Sequence, residues 1–499
     1  MFEWLKNIFL KGGAKMGMVT ELNNITDHPK IAITSEDYQR IKDNLMHYKS
    51  EYPKVHFMNS NNEMKDRNFH SLNISKVLAR KMAKLVFNEG VDIMINDNDE
   101  ANDYIQNVFQ YSKFRKNFGE ELEAGYAVGG LVLRPYFDTN SEKIKISYSK
   151  PDAFFPLTST SNDISEMGFS TTTIETENKK TVYYRLLEFH QWENGLYIIE
   201  NELCRSETKE KLGIKVGLNS IEKYKDLRKR SEMEGFTRPL FVYIKLAGKN
   251  NKNVYSPLSL GIIDNSKQQI TDINEKYDQF MWEIKQSERK IIASDHYFKT
   301  RFENGRPVTQ FDDQTTSFRM IRSDEPSISE FSPDLRSGEF INSINFILRI
   351  IEMQTGFSSG TISFDGQSVK TATEIISENS ETFSTRNDNV QIVSEAMKEL
   401  VTSIFELSEF YGVYDKPEDL QTTIDFDDGV FQSQDKKLDY YGRNATMRLL
   451  PRYRAIMEVH KVSEETAIKW VQAIAREEMG MSPIEQQAKQ NEEQFGPKE

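Results

Sequence analysis

Residues 356–375 read GFSSGTISFDGQSVKTATEI. Glycines at 356, 360 and 366 are interleaved with Ser and Thr, which is turn chemistry, because glycine takes left-handed backbone angles at no steric cost. From Ser368 onward the pattern turns helical. Apolar, helix-periodic segments flank the stretch on both sides, so a short polar loop stands between two long helices. What that loop is for decides how the chain is read.

Upstream of the loop, SGEFINSINFILRIIEMQT (337–355) carries Phe340, Ile341, Ile344, Ile347, Leu348 and Ile351 at helical spacing, and Gly356 falls where such a helix stops. Downstream, Val369, Ile376, Phe383, Val390, Met397, Ile404 and Tyr411 recur every seven residues as far as Gly412. Within that third helix, SENSETFSTRNDN (377–389) is strongly polar. Such a waist is expected to kink, or to face solvent or partners.

A further helix is expected from Ser256-Pro257, a capping hydroxyl followed by proline at the first helical position. No glycine or proline interrupts Ile262 to Ala293, and Ile263, Ile270, Tyr277, Ile284 and Ile291 form a seam with Ile273 and Phe280 between them. At ~1.5 Å per residue this helix is expected to reach on the order of 50 Å. Between it and the 337–355 helix lie about 40 residues in which YFKTRF and SFRMIR alternate as strands and Asn304-Gly305 marks a hairpin. That insertion is too small for a core of its own.

Residues 1–250 read as α+β. ITSEDYQRIKDNLMHYKS (33–50), capped near Ser35, and NISKVLARKMAKLVFNEG (73–90) are amphipathic helices, the second with Val77, Met82, Leu85 and Val86 apolar and Gly90 as its stop. VDIMIN alternates as a strand, and 103–130 is helical up to Gly129-Gly130. Alternating strands follow from LVLRPYFD to Cys204, with a turn at Glu193-Asn194-Gly195. After Gly412, a short strand TTIDFDD precedes a small helical group, and the Gln- and Glu-rich tail from Met481 has the composition of disorder.

Composition narrows the function. A net charge of −13 disfavours a protein that wraps DNA, though it suits one that lets DNA pass without gripping it. The basic run KYKDLRKR (223–230) lacks the aromatic interleaving that stacks bases and reads as a solvated face. A single cysteine, Cys204, excludes an intrachain disulfide and a cysteine zinc site, and fits a reducing cytoplasm. Phe2, Leu5, Ile8 and Phe9 mark one face of a short helix rather than a signal peptide, expected to dock on the same chain or a neighbour, with membrane association as the alternative, and no stretch approaches the ~18 apolar residues of a membrane span. GGAKMG (12–17) lacks the Gly-Lys-Ser/Thr ending of a phosphate loop, and the seven histidines show no ligand spacing. Asp425 and Asp427 are explained equally well by strand alternation as by a cation. No catalytic residue, metal site or cofactor is assigned.

The order of elements, with GGAKMGM, ITDHPKIAI, SLNISKVLARKMAKLVFNE, EAGYAVGGLVLRPYFD and above all the 356–375 stretch, resembles the portal proteins of tailed bacteriophages, in the branch found in phages of low-GC Gram-positive bacteria. The resemblance covers about residues 15–475 and implies an α+β, portal-like subunit. It implies a wing (1–255), stem helices (256–294 and 336–356) and a small β-rich clip (295–335). It also implies a tunnel loop (357–368), a long wing helix (369–412), a helical crown (413–480) and a tail (481–499). It further implies a homo-oligomeric ring, typically of twelve subunits, at the unique capsid vertex of the virion, assembled in the host cytoplasm with no membrane. Double-stranded DNA passes through the ring during packaging and ejection. The implied partners are the terminase large subunit, major capsid and scaffolding proteins, and a head-completion or adaptor protein of the head–tail connector. Ser359, Gly360, Phe364, Asp365, Gly366, Gln367 and Lys370 are the tunnel-loop candidates, with Phe364 bracing neighbours and Lys370 touching phosphate. Lys299, Arg301, Arg306, Arg319 and Arg322 are the clip candidates, and Ile270, Tyr277, Ile284 and Ile347 the stem-packing ones. The alternatives are another capsid or tail component that closes no ring, a nuclease or terminase subunit of the packaging machinery, and a coiled-coil adaptor. The second requires a nucleotide or metal site, and the third leaves the α+β region without a role.

Overall fold

Thr34, one residue before the expected cap, closes the first helix α1 (Ser35–Lys49) by accepting from the Asp37 N–H. The computed structural model describes residues 22–58, 63–87, 91–95, 98–159, 163–287, 290–294, 299–303, 306–310, 318–321, 325, 327–364, 379–426, 434–460, 462 and 464–478. The chain divides into two units, Met1–Asp425 and Phe426–Glu499.

After α1 come a hairpin, β1 (Val55–Met58) with β2 (Met64–Arg67), then α2 (Ile74–Val86) and β3 (Val91–Ile95). In α2 the buried stripe is Ile74, Leu78, Ala79, Met82 and Val86, whereas Val77 is exposed and Leu85 half-buried. Phe87 caps α2, and Gly90 lies outside the described residues. The single helix expected over 103–130 is two, α3 (Asp99–Tyr111) and α4 (Phe114–Val128). They break at Lys113, whose φ is +51°. The break lets Phe109, Phe114 and Phe118 pack ring on ring, with centroids 4.8 and 4.9 Å apart.

An antiparallel block follows: β4 (Leu131–Asp138), β5 (Lys143–Ser149), β6 (Phe154–Ser159), β7 (Ile164–Glu177), β8 (Lys180–Glu193), β9 (Leu196–Ser206), β10 (Ile214–Val216), β11 (Arg230–Met233) and β12 (Val242–Ile244). One sheet runs β10-β9-β8-β7-β6 with β11 added beside β9, and a second runs β12-β4-β5. Asn194 and Gly195 both have positive φ and join β8 to β9 in the two-residue turn expected of them. Cys204 is buried on β9, and burial pushes its thiol up to about 12.

The helix expected from Ser256 to Ala293 is much shorter. Residues 256–261 are irregular, 262–266 form turns, and α5 spans Lys267–Gln286, ~30 Å. Asp264 explains its late start. Its Oδ2 accepts from Arg40 Nη1 at 2.6 Å, Asn44 Nδ2 at 3.0 Å and the Gly261 N–H at 2.7 Å. Gly261 is pressed so closely on α4 that a Cβ there would lie 2.5 Å from the Ala127 carbonyl. A continuous helix would pull both residues out of this seat. At the other end, Lys290–Ser294 is a strand, β13.

The insertion continues with β14 (Lys299–Glu303), β15 (Arg306–Gln310), β16 (Phe318–Ile321) and β17 (Ile328–Phe331). β14 and β15 form the expected hairpin, with Glu303 opposite Arg306, and β13 is sandwiched between β16 and β17. Then α6 (Ser337–Thr355) returns, stacking Phe340 on Phe280 of α5 with ring centroids 5.0 Å apart and pairing Arg336 with Glu283. On another face of α5, Asp278 takes both Arg67 guanidinium nitrogens at 2.6 Å, and Arg67 lies over Trp282. The first unit closes with α7 (Ser380–Phe410) and β18 (Thr422–Phe426), which pairs with β3. α6 ends on Gly356 with φ +72°, as expected. The start of the third helix near Ser368, the tail and the GGAKMG segment lie outside the described residues.

The second unit is a helical group, α8 (Gln434–Thr446), α9 (Arg452–His460) and α10 (Glu464–Glu478). Leu438, Ala445, Ile456, Val459 and Ile474 line an open pocket of about 270 Å³ on its surface.

Acid sensitivity is built into the large sheet. Burial works against the charge on Glu188, but Arg134 and His190 beside it outweigh that and hold its carboxyl at about 2. Glu202 is likewise held at about 2 against burial by His28 and Lys215. Burial also pushes His190 down. At these three groups the unfolded chain binds protons at a higher pH than the folded one, so the stability they contribute is complete above about pH 6.5 and falls as pH drops toward 2. We expect the urea midpoint to fall steadily between pH 6 and pH 3, and Glu202→Gln to flatten that slope. A midpoint independent of pH over this range contradicts the assignment.

Candidate functional site

The residues after Gly356 are not a slack connection. Phe357 is buried, and residues 358–364 fold back over the end of α6. At the centre is Glu352, 1% exposed. Its carboxylate accepts from the Gly360 N–H at 3.1 Å, the Ile362 N–H at 2.5 Å, the Ser363 N–H at 2.8 Å and the Ser363 hydroxyl at 2.9 Å. Successive backbone N–H groups converging on one carboxylate form an anion nest. Here the anion is the chain's own.

Two other elements, and a second residue of α6, grip the same segment. From α7, Thr382 and Ser358 bond reciprocally, with the Ser358 N–H on Thr382 Oγ1 at 2.7 Å and the Thr382 N–H on Ser358 Oγ at 3.2 Å. Thr385 Oγ1 donates to the Gly356 carbonyl at 2.8 Å. From α2, Lys81 Nζ reaches the Thr361 carbonyl at 3.0 Å. From α6, Asn345 brackets Phe364, taking its N–H at 2.7 Å and giving to its carbonyl at 3.1 Å. With its main chain held on both sides, the Phe364 ring is 71% exposed.

Within the described part of the polar waist, Ser380, Glu381, Ser384, Asn387 and Asp388 face solvent, as expected, while a second face is turned inward. Thr382, Arg386 and Asn389 are buried. Arg386 Nε donates to the Leu85 carbonyl at the end of α2, and Asn389 Oδ1 accepts from the Ala247 N–H. The buried stripe runs 382, 386, 389, 393, 397, 400 and 404, polar where it meets backbone and apolar where it meets the sheets. A cavity of about 300 Å³ lies beneath Gly356, lined by Met82, Leu246, Gly261, Asn265 and Thr355 among others.

Of the tunnel-loop candidates, Ser359 and Gly360 are exposed on the folded-back turn and Phe364 stands at its end, whereas Asp365, Gly366, Gln367 and Lys370 lie outside the described residues. Of the clip candidates, Lys299 and Arg301 are on β14, Arg306 opens β15 and Arg319 is on β16, while Arg322 is outside the described residues. Among the stem-packing candidates Ile270 is 1% exposed, buried within its own unit. Tyr277 and Ile347 are half-buried and Ile284 is exposed. Ile341, Phe346 and Met353 of α6 are the large apolar side chains left in solvent there, and the seam-based reading passed over them. Glu352 was also missed, although an acid directly after the apolar pair Ile350-Ile351 was visible.

No group of three or more His, Cys, Asp or Glu side chains is placed to hold a metal ion among the described residues. The described histidines sit apart, each with its own partners, among them Glu202 for His28, Tyr52 for His47, Asp66 for His56 and Asp278 for His70. No described helix is long and apolar enough to cross a membrane.

A family profile described as "Phage portal protein, SPP1 Gp6-like" matches residues 27–494. Among solved structures the chain is similar to one titled "Neck of empty GTA particle computed with C6 symmetry", at 12% identity and a TM-score of 0.39, over 76% of this chain and 89% of that one. No curated protein matches it.

The reciprocal bond at Ser358 gives a direct test of the site's rigidity. Thr382→Val keeps the shape, removes the hydroxyl and strands the buried Ser358 N–H, at a cost of about 1–3 kcal/mol. We expect a lower urea midpoint with an unchanged slope; an unchanged midpoint contradicts the role given to the hydroxyl.

Proposed function

The chain belongs to the SPP1 Gp6-like family of phage portal proteins, and from that premise we propose that it acts without catalysis as a ring-shaped conduit for double-stranded DNA. The family match over residues 27–494 carries this reading. In it, the α+β region of the first unit and α7 form the wing, α5 and α6 the stem, and β13–β17 the clip. The second unit is the crown, and the segment from Phe357 onward is the channel loop. The clip receives the terminase during packaging and head-completion proteins afterwards.

Two features of the subunit support the assignment. α6 leaves Ile341, Phe346 and Met353 in solvent, and a closed ring of identical subunits buries such a face without leaving an open end. Phe364 is held out by a fully bonded main chain, as suits a side chain that meets something passing by. The acidity of the chain, −13 in net charge, agrees with a channel that must not hold phosphate.

Negative-stain electron microscopy with mass photometry of the purified chain is expected to give rings with a central hole, near the mass of twelve chains. A monomer that persists at high concentration and with capsid protein present overturns the proposal. Phe364→Ala combined with Lys370→Ala is expected to leave rings intact and reduce the DNA packaged per particle. Normal packaging by that variant removes the loop from the mechanism.

A further inference from the structure

We propose that Glu352 is the positioning residue of the channel loop: its buried carboxylate joins residues 358–364 to α6 as one body and thereby fixes where Phe364 is presented. This rests on the conduit reading above and goes beyond it. Glycines and serines after Gly356 are the composition of a loop free to move; the geometry of residues 356–364 is the opposite of free.

Glu352 stands in the last turn of α6, where the helix's own unpaired carbonyls make a carboxylate unwelcome. It is also removed from water, which adds a further cost unless its lone pairs are filled. Its four described partners are the N–H groups of Gly360, Ile362 and Ser363 and the hydroxyl of Ser363. A lysine or arginine partner would neutralise the charge and leave the loop free to wander. Backbone N–H groups as partners make the carboxylate a mould, because they reach it only when the main chain curls around it. The charge that α6 cannot accommodate alone is thus the charge that shapes the loop base.

The remaining grips lie around this centre. Lys81 of α2 holds Thr361, Thr382 of α7 holds Ser358, and Asn345 of α6 holds Phe364. The Phe364 ring projects from a base tied to three helices, so a push on the ring is delivered to α6 and α2 rather than taken up by bending of the base.

The test uses the full chain, as rings and in particles. Glu352→Gln keeps the size but turns one of the two acceptor oxygens into an NH2 donor facing the nest. We expect rings of unchanged mass, at least tenfold faster hydrogen exchange at the amides of Gly360, Ile362 and Ser363, and less DNA packaged per particle. Adding Phe364→Ala to Glu352→Gln is expected to cause no further packaging loss, because Glu352 acts through Phe364. Unchanged exchange at those amides overturns the proposal, as does a double variant whose loss is the product of the two single ones. If Glu352→Gln fails to form rings, Asn345→Ala serves instead, since Asn345 is half-buried and touches the Phe364 main chain. Faster exchange at Phe364 and the same lack of additivity are then expected, and their absence overturns the proposal. Normal packaging by Phe364→Ala alone defeats the conduit role of the loop while leaving the anchor, read by exchange, standing.

Discussion

One carboxylate oxygen, Asp264 Oδ2, collects the Arg40 guanidinium, the Asn44 amide and the Gly261 N–H at the point where the chain leaves the sheets for α5. The first unit depends on joints of this kind. Asp278 fastens the β1–β2 hairpin to α5 through Arg67, Glu352 fastens the loop base to α6, and Glu406 of α7 takes the Thr237 N–H and hydroxyl together with Lys416. All four acids are buried, and each bridges segments remote in sequence, save the ten residues between Glu352 and the loop. A buried carboxylate with lone pairs unfilled is far costlier than one with all of them filled. Each joint is therefore strongest with its partners in place, and together with the buried Ile270, Ile273, Leu348 and Ile351 these joints give α5 and α6 a definite seat within the first unit.

The same physics explains what was legible in the sequence. Elements set by local rules were read to the residue or nearly so: α6 from its apolar spacing, its end from Gly356, the β8–β9 turn from Asn194-Gly195. Elements set by a distant partner were not. Nothing in SPLSLGIIDNS forbids a helix; only Arg40 and Asn44, more than 200 residues earlier, and the close approach of α4 to Gly261 do so. The heptad seam picked out Ile270 as a packing residue, but periodicity finds an apolar face without saying whose interior it enters, and Ile270 is buried in its own unit.

The site was legible in part for a related reason. Phe364 could be read as the loop's prominent side chain, and its exposure agrees with that. Its support could not, because hydrophobic patterning treats polar residues as surface. Thr382, Arg386 and Asn389 continue the apolar stripe of Val393, Met397, Leu400 and Ile404 at the same spacing, changing only chemical type. The change occurs where the helix meets bare backbone at Ser358, Leu85 and Ala247 instead of side chains. A polar stripe that keeps step with an apolar one is a sequence signal for a helix that crosses a turn.

The burial of Cys204 has a practical consequence. It is the only cysteine in the chain, and its thiol is pushed so high that almost no thiolate exists at neutral pH. It is the thiolate that attacks maleimides and thiol-reactive spin labels, so the buried Cys204 leaves the native chain nearly silent toward them. Phe364→Cys would create one reactive position per subunit in a background that needs no prior cysteine removal, and spin or fluorophore pairs across an assembled ring could then report the width of its opening directly.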